Sequence, residues 1–98
     1  MRKIVWDKNA KDSFSSIIDF IRDSSDQNAD KILDVVFSLI ENAAKYPEHS
    51  RRDLYKRNNE SGRFRAFEIY SIRISFYYND EVLQVVRIKH TKQQPSKY

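Results

Sequence analysis

Past the first few residues the hydrophobic period changes once along the chain, and that change limits the fold more than any other feature. Between Ala10 and Lys45 apolar residues recur every three to four positions, and after Gly62 they recur at every second position. The first spacing lays an apolar stripe along a helix, and the second gives a strand one apolar face. Past that start, helices therefore precede the strands. Strands joined by short turns pair antiparallel, and helices grouped on one face of such a sheet make an α+β domain.

The order can be read in more detail. RKIVW is short and β-branched and reads as a first strand ending near Trp6. Ala10, Phe14, Ile17, Ile18 and Ile21 then share one side of a helix running from Asp7 or Asn9 to Asp23. DSSDQN interrupts the pattern, with Asn28 or Asp26 expected to cap a second helix over about 29 to 45. That helix carries two apolar stripes, one through Ile32, Val35, Val36, Leu39 and Ala43 and one through Leu33, Phe37, Ile40 and Ala44, so it should be covered on two sides. Pro47 stops it, because the residue before a proline is pushed out of the helical region. A long polar connection from Glu48 to Gly62 follows. Strands of about 63 to 69 and 71 to 78 come next, then a turn at YND and a last strand from Glu81 to His90. The expected fold is β-α-α-β-β-β, a helical hairpin on one face of a small, mostly antiparallel sheet, with residues 1–98 forming a single domain.

Charge is distributed unevenly. Residues 1–50 carry 7 Lys/Arg and 9 Asp/Glu, whereas residues 51–98 carry 11 and 5. A basic half on a balanced domain suits a polyanion or an acidic protein segment. The chain has no cysteine, hence no disulfide or thiolate metal site, which fits a reducing cytoplasm. Neither a secretory leader nor a membrane-length apolar run is evident, so a soluble cytoplasmic protein is expected. Two histidines without HExxH spacing argue against zinc, and a single glycine excludes a phosphate-cradling loop or a GxSxG elbow. No metal and no cofactor are expected.

What remains is a set of cations with one well-placed imidazole and several phenols. Alternation puts Arg73, Ser75 and Tyr77 on the face opposite Ile72, Ile74 and Phe76, while Arg87 and Lys89 share a face of the last strand and His90 follows at its end. Such a set suits metal-free attack of an RNA 2'-hydroxyl on its own phosphodiester, which needs a proton acceptor, a proton donor and cations on the phosphorane. Arg73, His90 and Tyr98 are the candidate catalytic residues, with either Tyr98 or a lysine taking the second proton-transfer role beside His90. Lys56, Arg63, Arg65, Arg87, Lys89 and Lys92 are the candidate phosphate contacts, arginine offering a two-pronged fork and lysine a point charge. Pro95 is expected to fix the direction of the tail, folding Lys92 and Tyr98 back toward Arg73 across the open sheet face.

Three segments, KYPEHSRRDLY, RAFEIYSIRISFYY and VVRIKHTKQQPSKY, together with the element order, resemble the RelE/ParE superfamily of toxins from bacterial type II toxin-antitoxin modules, including members described as plasmid stabilisation proteins. The resemblance implies a toxin neutralised by a cognate antitoxin that wraps it and covers its basic site. RelE-like members cleave mRNA in the ribosomal decoding site; ParE-like members poison DNA gyrase and lack the ribonuclease residues. By this resemblance Arg73 matches the phosphate-binding arginine, Lys92 falls near a second functional arginine, Tyr98 matches a C-terminal tyrosine, and His90 matches a histidine found in both kinds. The expectation is a metal-independent, ribosome-dependent mRNA endoribonuclease that inhibits translation, with ribosome and mRNA as partners. A gyrase poison acting by protein binding, or a catalytically inactive member, are the alternatives.

Overall fold

A computed structural model of the protein describes residues 1–93 and 96–98, so the expectation for Pro95 lies outside the described residues. The elements are β1 (Lys3–Trp6), α1 (Lys8–Ser24), α2 (Asp26–Lys45), a 3-10 turn (Pro47–His49), β2 (Arg51–Arg52), β3 (Phe64–Ile69), β4 (Ile72–Tyr78) and β5 (Val82–His90). They form one five-stranded sheet in the order β1-β5-β4-β3-β2. The pairing of β1 with β5 is parallel and the other three pairings are antiparallel. This is the expected α+β architecture with one added strand, β2, in the segment read from sequence as a connection.

The boundary between the helices differs from expectation for a local reason. Ser25, and neither Asp26 nor Asn28, caps α2: its side chain accepts a hydrogen bond from the Asn28 amide at 3.1 Å. Its own amide meanwhile donates to Ile21 of α1 at 2.9 Å, so one residue ends one helix and begins the next. Asp7 precedes α1 without a side-chain capping bond, because its carboxylate accepts from Gln84 of β5 instead. That contact ties the start of α1 to the sheet.

Between β3 and β4 the chain turns through Tyr70 and Ser71, at φ 52° and 61°. Positive φ at both central residues is the type I′ geometry whose twist matches that of paired strands. It puts Ile69 opposite Ile72 and explains the slip in alternation near EIYS. Asn79 builds the next turn, its side-chain oxygen accepting from the amides of Glu81 and Val82 at 2.8 and 2.9 Å. One irregularity interrupts the β4–β5 ladder at Ser75/Phe76, where Ser75 pairs with Arg87 and Phe76 already with Val85. The extra residue is a bulge, which sharpens the local twist.

The core lies between helices and sheet. Ile72, Ile74, Phe76, Leu83, Val85 and Ile88 meet Ala10, Phe14, Ile18, Val36 and Ile40, all buried. Trp6 packs here as well, 5.8 Å from Phe14 and 6.2 Å from Phe37 between ring centroids. The second stripe of α2 is covered only in part, since Phe37 remains 45% exposed at the rim of this aromatic cluster. Among the described residues no helix is long and apolar enough to cross a membrane.

Candidate functional site

The face of the sheet turned away from the helices is not open. Cross-strand register places Glu68 beside Arg73, Arg73 beside Lys89, and Ser75 beside Arg87, all on this face. Two further segments close over it. β2 leads directly into Asp53, whose amide donates to the Phe64 carbonyl at 2.9 Å and whose side chain is driven inward, 0% exposed. From the other side residues 96–98 lie across the strands, with the Tyr98 amide donating to the Tyr55 carbonyl at 2.9 Å and the Arg57 amide to the Tyr98 carbonyl at 2.7 Å.

Asp53 is the hub of the arrangement. Oδ1 accepts from Arg73 at 2.9 Å and from the Tyr55 amide at 3.0 Å, and Oδ2 accepts from the Tyr98 hydroxyl at 2.5 Å. Desolvation pushes the Asp53 carboxyl up, but hydrogen bonds from Tyr98, Arg73, the Tyr55 amide and Ser75 together outweigh it and hold the group below the ordinary carboxylate range. Burial works against the Arg73 charge too and is overcome by Asp53 and then Glu68, so the guanidinium binds its proton more tightly than usual. The Tyr98 phenol moves well above its ordinary value, first through burial and next through the hydrogen bond to Asp53. It is a held proton donor.

Most of the cations around this hub are already paired. Arg73 also donates to Glu68 at 3.0 Å and lies 4.9 Å over the Tyr55 ring. Arg87 donates to the carbonyl and hydroxyl of Ser96 at 2.6 and 2.8 Å, with its guanidinium 4.5 Å over the Tyr98 ring. Lys56 stands 4.7 Å over Phe64 and 5.4 Å over Tyr98. Between these groups, with Lys89, His90, Thr91 and Gln93 on the rim, remains a cleft of about 70 Å³. Small-molecule sites measure about 300 to 1,000 Å³, so this cleft is too small to enclose a nucleotide while residues 96–98 are in place.

The structure thus brings together Arg73, Tyr98, Arg87, Lys89 and Lys56, and it leaves others apart. His90 pairs with the buried Ile72, so alternation sends its side chain to the helix side of the sheet edge, and its Nδ1 accepts from the Lys92 amide at 3.1 Å. Lys92 lies with His90 along a groove against Ile17, Phe20 and Ile21 of α1, not across the open face toward Arg73. The chain turns there, the Thr91 amide donating to the Ser71 carbonyl and the Gln93 amide to the His90 carbonyl. Arg65 is on the helix-side face and donates to the carbonyls of Gly62 and Ser50, both at 2.9 Å. Arg63 is exposed beside the Tyr78 ring, 5.7 Å away. Asp53, Tyr55 and Ser96 were not anticipated. One signal pointed to Asp53: an arginine in mid-strand needs a carboxylate when something covers it.

The chain matches the family described as "ParE toxin of type II toxin-antitoxin system, parDE" over residues 4–95. No match was found among curated proteins. Among solved structures it is similar to a chain of the "Chromosomal ParDE TA system from P. aeruginosa", at a TM-score of 0.65 and 16% identity, covering 92% of this chain and 96% of that one. At that identity the likeness speaks for the fold alone. The family match spans both helices, every strand and the loop that carries Asp53. On that match the chain belongs to the ParE toxin family of type II toxin-antitoxin systems, within the RelE/ParE superfamily.

Proposed function

We propose that this toxin acts by binding a protein target, DNA gyrase, and that it does not cut mRNA. One observation carries the reading: Asp53 holds both the Arg73 guanidinium and the Tyr98 hydroxyl, the groups a ribonuclease of this fold would turn toward its substrate. A general base works best with a pKa near the operating pH. Tyr98, displaced upward from an already high value, is far from that condition. His90, the remaining proton carrier of the set, lines the rim of the cleft but has Nδ1 committed to a turn. Arg73 meets two carboxylates, so its charge is neutralised where a phosphate would need it. The family assignment supports the same reading, and with it a cognate antitoxin as second partner and the cytoplasm as the place of action.

The surface available for such a contact is the tail with its surroundings: the outer sides of residues 96–98, Arg57 and Lys56. The test is direct. Purified toxin is expected to inhibit gyrase supercoiling in vitro, and its induction to trigger filamentation and a DNA-damage response while translated mRNAs stay intact. Defined cuts within ribosome-bound messages, mapped by 5'-end sequencing soon after induction, would refute the proposal and restore the ribonuclease expectation.

A further inference from the structure

We infer that Asp53 is a positioning residue for the target-contacting surface, fixing residues 96–98 on the sheet by the hydrogen bond that it accepts from Tyr98. The inference rests on the reading above, in which this segment touches the target. Its basis is the unequal quality of the side-chain contacts that hold the segment beside its two backbone hydrogen bonds to Tyr55 and Arg57. Arg87 to Ser96 is an exposed pair, and the Arg87 and Lys56 cations flank the Tyr98 ring at 4.5 and 5.4 Å. Water and salt compete with contacts of that kind, and each adds little. The Asp53 carboxylate is 0% exposed, so water cannot replace the phenol that reaches it.

The chemistry also explains why a carboxylate stands there. Three donors from three separate segments converge on two oxygens: the Tyr98 hydroxyl, the Arg73 guanidinium and the Tyr55 amide. A carboxylate can accept from all of them, whereas an amide offers one acceptor oxygen and turns an NH2 toward one of the donors. Asp53 therefore connects β4, the 53–57 segment and residues 96–98, and it sets where Tyr98, Arg57 and Lys56 face solvent together.

Two variants test this. Asp53→Asn keeps the shape and removes the charge; Tyr98→Phe removes the hydroxyl alone and leaves Asp53 with Arg73, so the fold is kept if the first variant is unstable. Amide hydrogen exchange at Tyr98 and Arg57 reads the order of the segment, and gyrase supercoiling reads function. Exchange at both amides should accelerate roughly tenfold to a hundredfold, the range that a hydrogen bond to a charged acceptor supports. Ile74 and Val85 amides in the sheet should stay unchanged in Tyr98→Phe. The half-inhibitory concentration should rise in step with exchange while maximal inhibition stays the same, as expected when order is lost and contacts are kept. Unaltered exchange in Tyr98→Phe would overturn the inference, as would faster exchange with unaltered inhibition. If wild-type toxin leaves gyrase untouched, the functional reading fails, and the exchange data still judge whether Asp53 positions the segment.

Discussion

Replacing Arg73 by alanine removes the cation from a buried carboxylate, and the structure sets the size of the effect. Asp53 has no side-chain exposure, Arg73 only 22%, and their contact is 2.9 Å. Breaking such a pair by removing one partner costs about 3 to 5 kcal/mol when the remaining charge is isolated. Here the Tyr98 hydroxyl and the Tyr55 amide still solvate Asp53, so the expected loss is lower, about 2 to 3 kcal/mol. For a chain of about 100 residues that corresponds to a fall in Tm of roughly 10 to 20 °C. Glu68→Ala is the control, since Glu68 is 53% exposed and its pair with Arg73 should contribute no more than about 1 kcal/mol. Urea denaturation of Arg73→Ala, Asp53→Asn and the double variant gives a cycle whose coupling energy should be about 2 kcal/mol. A coupling near zero, or an Arg73→Ala loss no larger than that of Glu68→Ala, would show that the network does not hold this face together. The outcome also bears on function: if the prediction holds, weakened toxicity of Arg73→Ala in cells reports lost stability before it reports lost catalysis.

Three more outcomes follow from the same contacts. Asp53 titrates below its ordinary 3.8 in the folded protein, so the unfolded state binds the proton first. Its contribution should be complete above about pH 5 and disappear as pH falls through the depressed folded value, a slope that urea midpoints against pH should lose in Asp53→Asn. Tyr98, raised from 10.0, predicts the opposite limb: the unfolded chain ionises first, stability falls as pH rises beyond that value, and Tyr98→Phe abolishes the fall. Ser25→Ala should cost about 1 kcal/mol by removing the cap of α2, whereas Asn28→Ala, which keeps the amide that Ser25 accepts from, should cost less. Thermal melts of the two variants compare them directly.

The sequence announced the elements that a period defines and missed what a single contact defines. Ile72, Ile74 and Phe76 marked β4, and the stripe through Val36 and Ala43 marked α2, because burial of a repeating face leaves a repeating signature. The start of α2 was misplaced since its apolar pattern begins only at Ala29, and DSSDQN contains five residues able to cap. β2 is two residues long, too short for any period. Asp53 sits in RRDLYKR, where a lone acid among cations reads as solvated; only the distant Arg73 and Tyr98 make it a hub. Tyr98 near Arg73 was legible from the resemblance, and the identity of the group between them was not. Lys92 and His90 went the other way because the turn after β5, fixed by Thr91 and Gln93, delivers them to α1.

The parallel pairing of β1 with β5 carries a consequence for the order of events during synthesis. β1 leaves the ribosome early, but the strand it needs comes late: contacts such as Arg2 to Asn79 and Asp7 to Gln84 join residues 77 positions apart. At about 5 to 20 residues per second, that stretch takes roughly 4 to 15 s to translate. Until β5 arrives the helical hairpin lacks the completed sheet beneath it, and part of the face formed by Phe14, Ile18, Val36 and Ile40 meets water or whatever protein is at hand. Closure of the sheet at β5, and the docking of Tyr98 after it, wait until the other elements of the sheet have been made. A chain with this topology assembles the proposed contact surface only after β5 has been made, which leaves a partner seconds in which to meet it first.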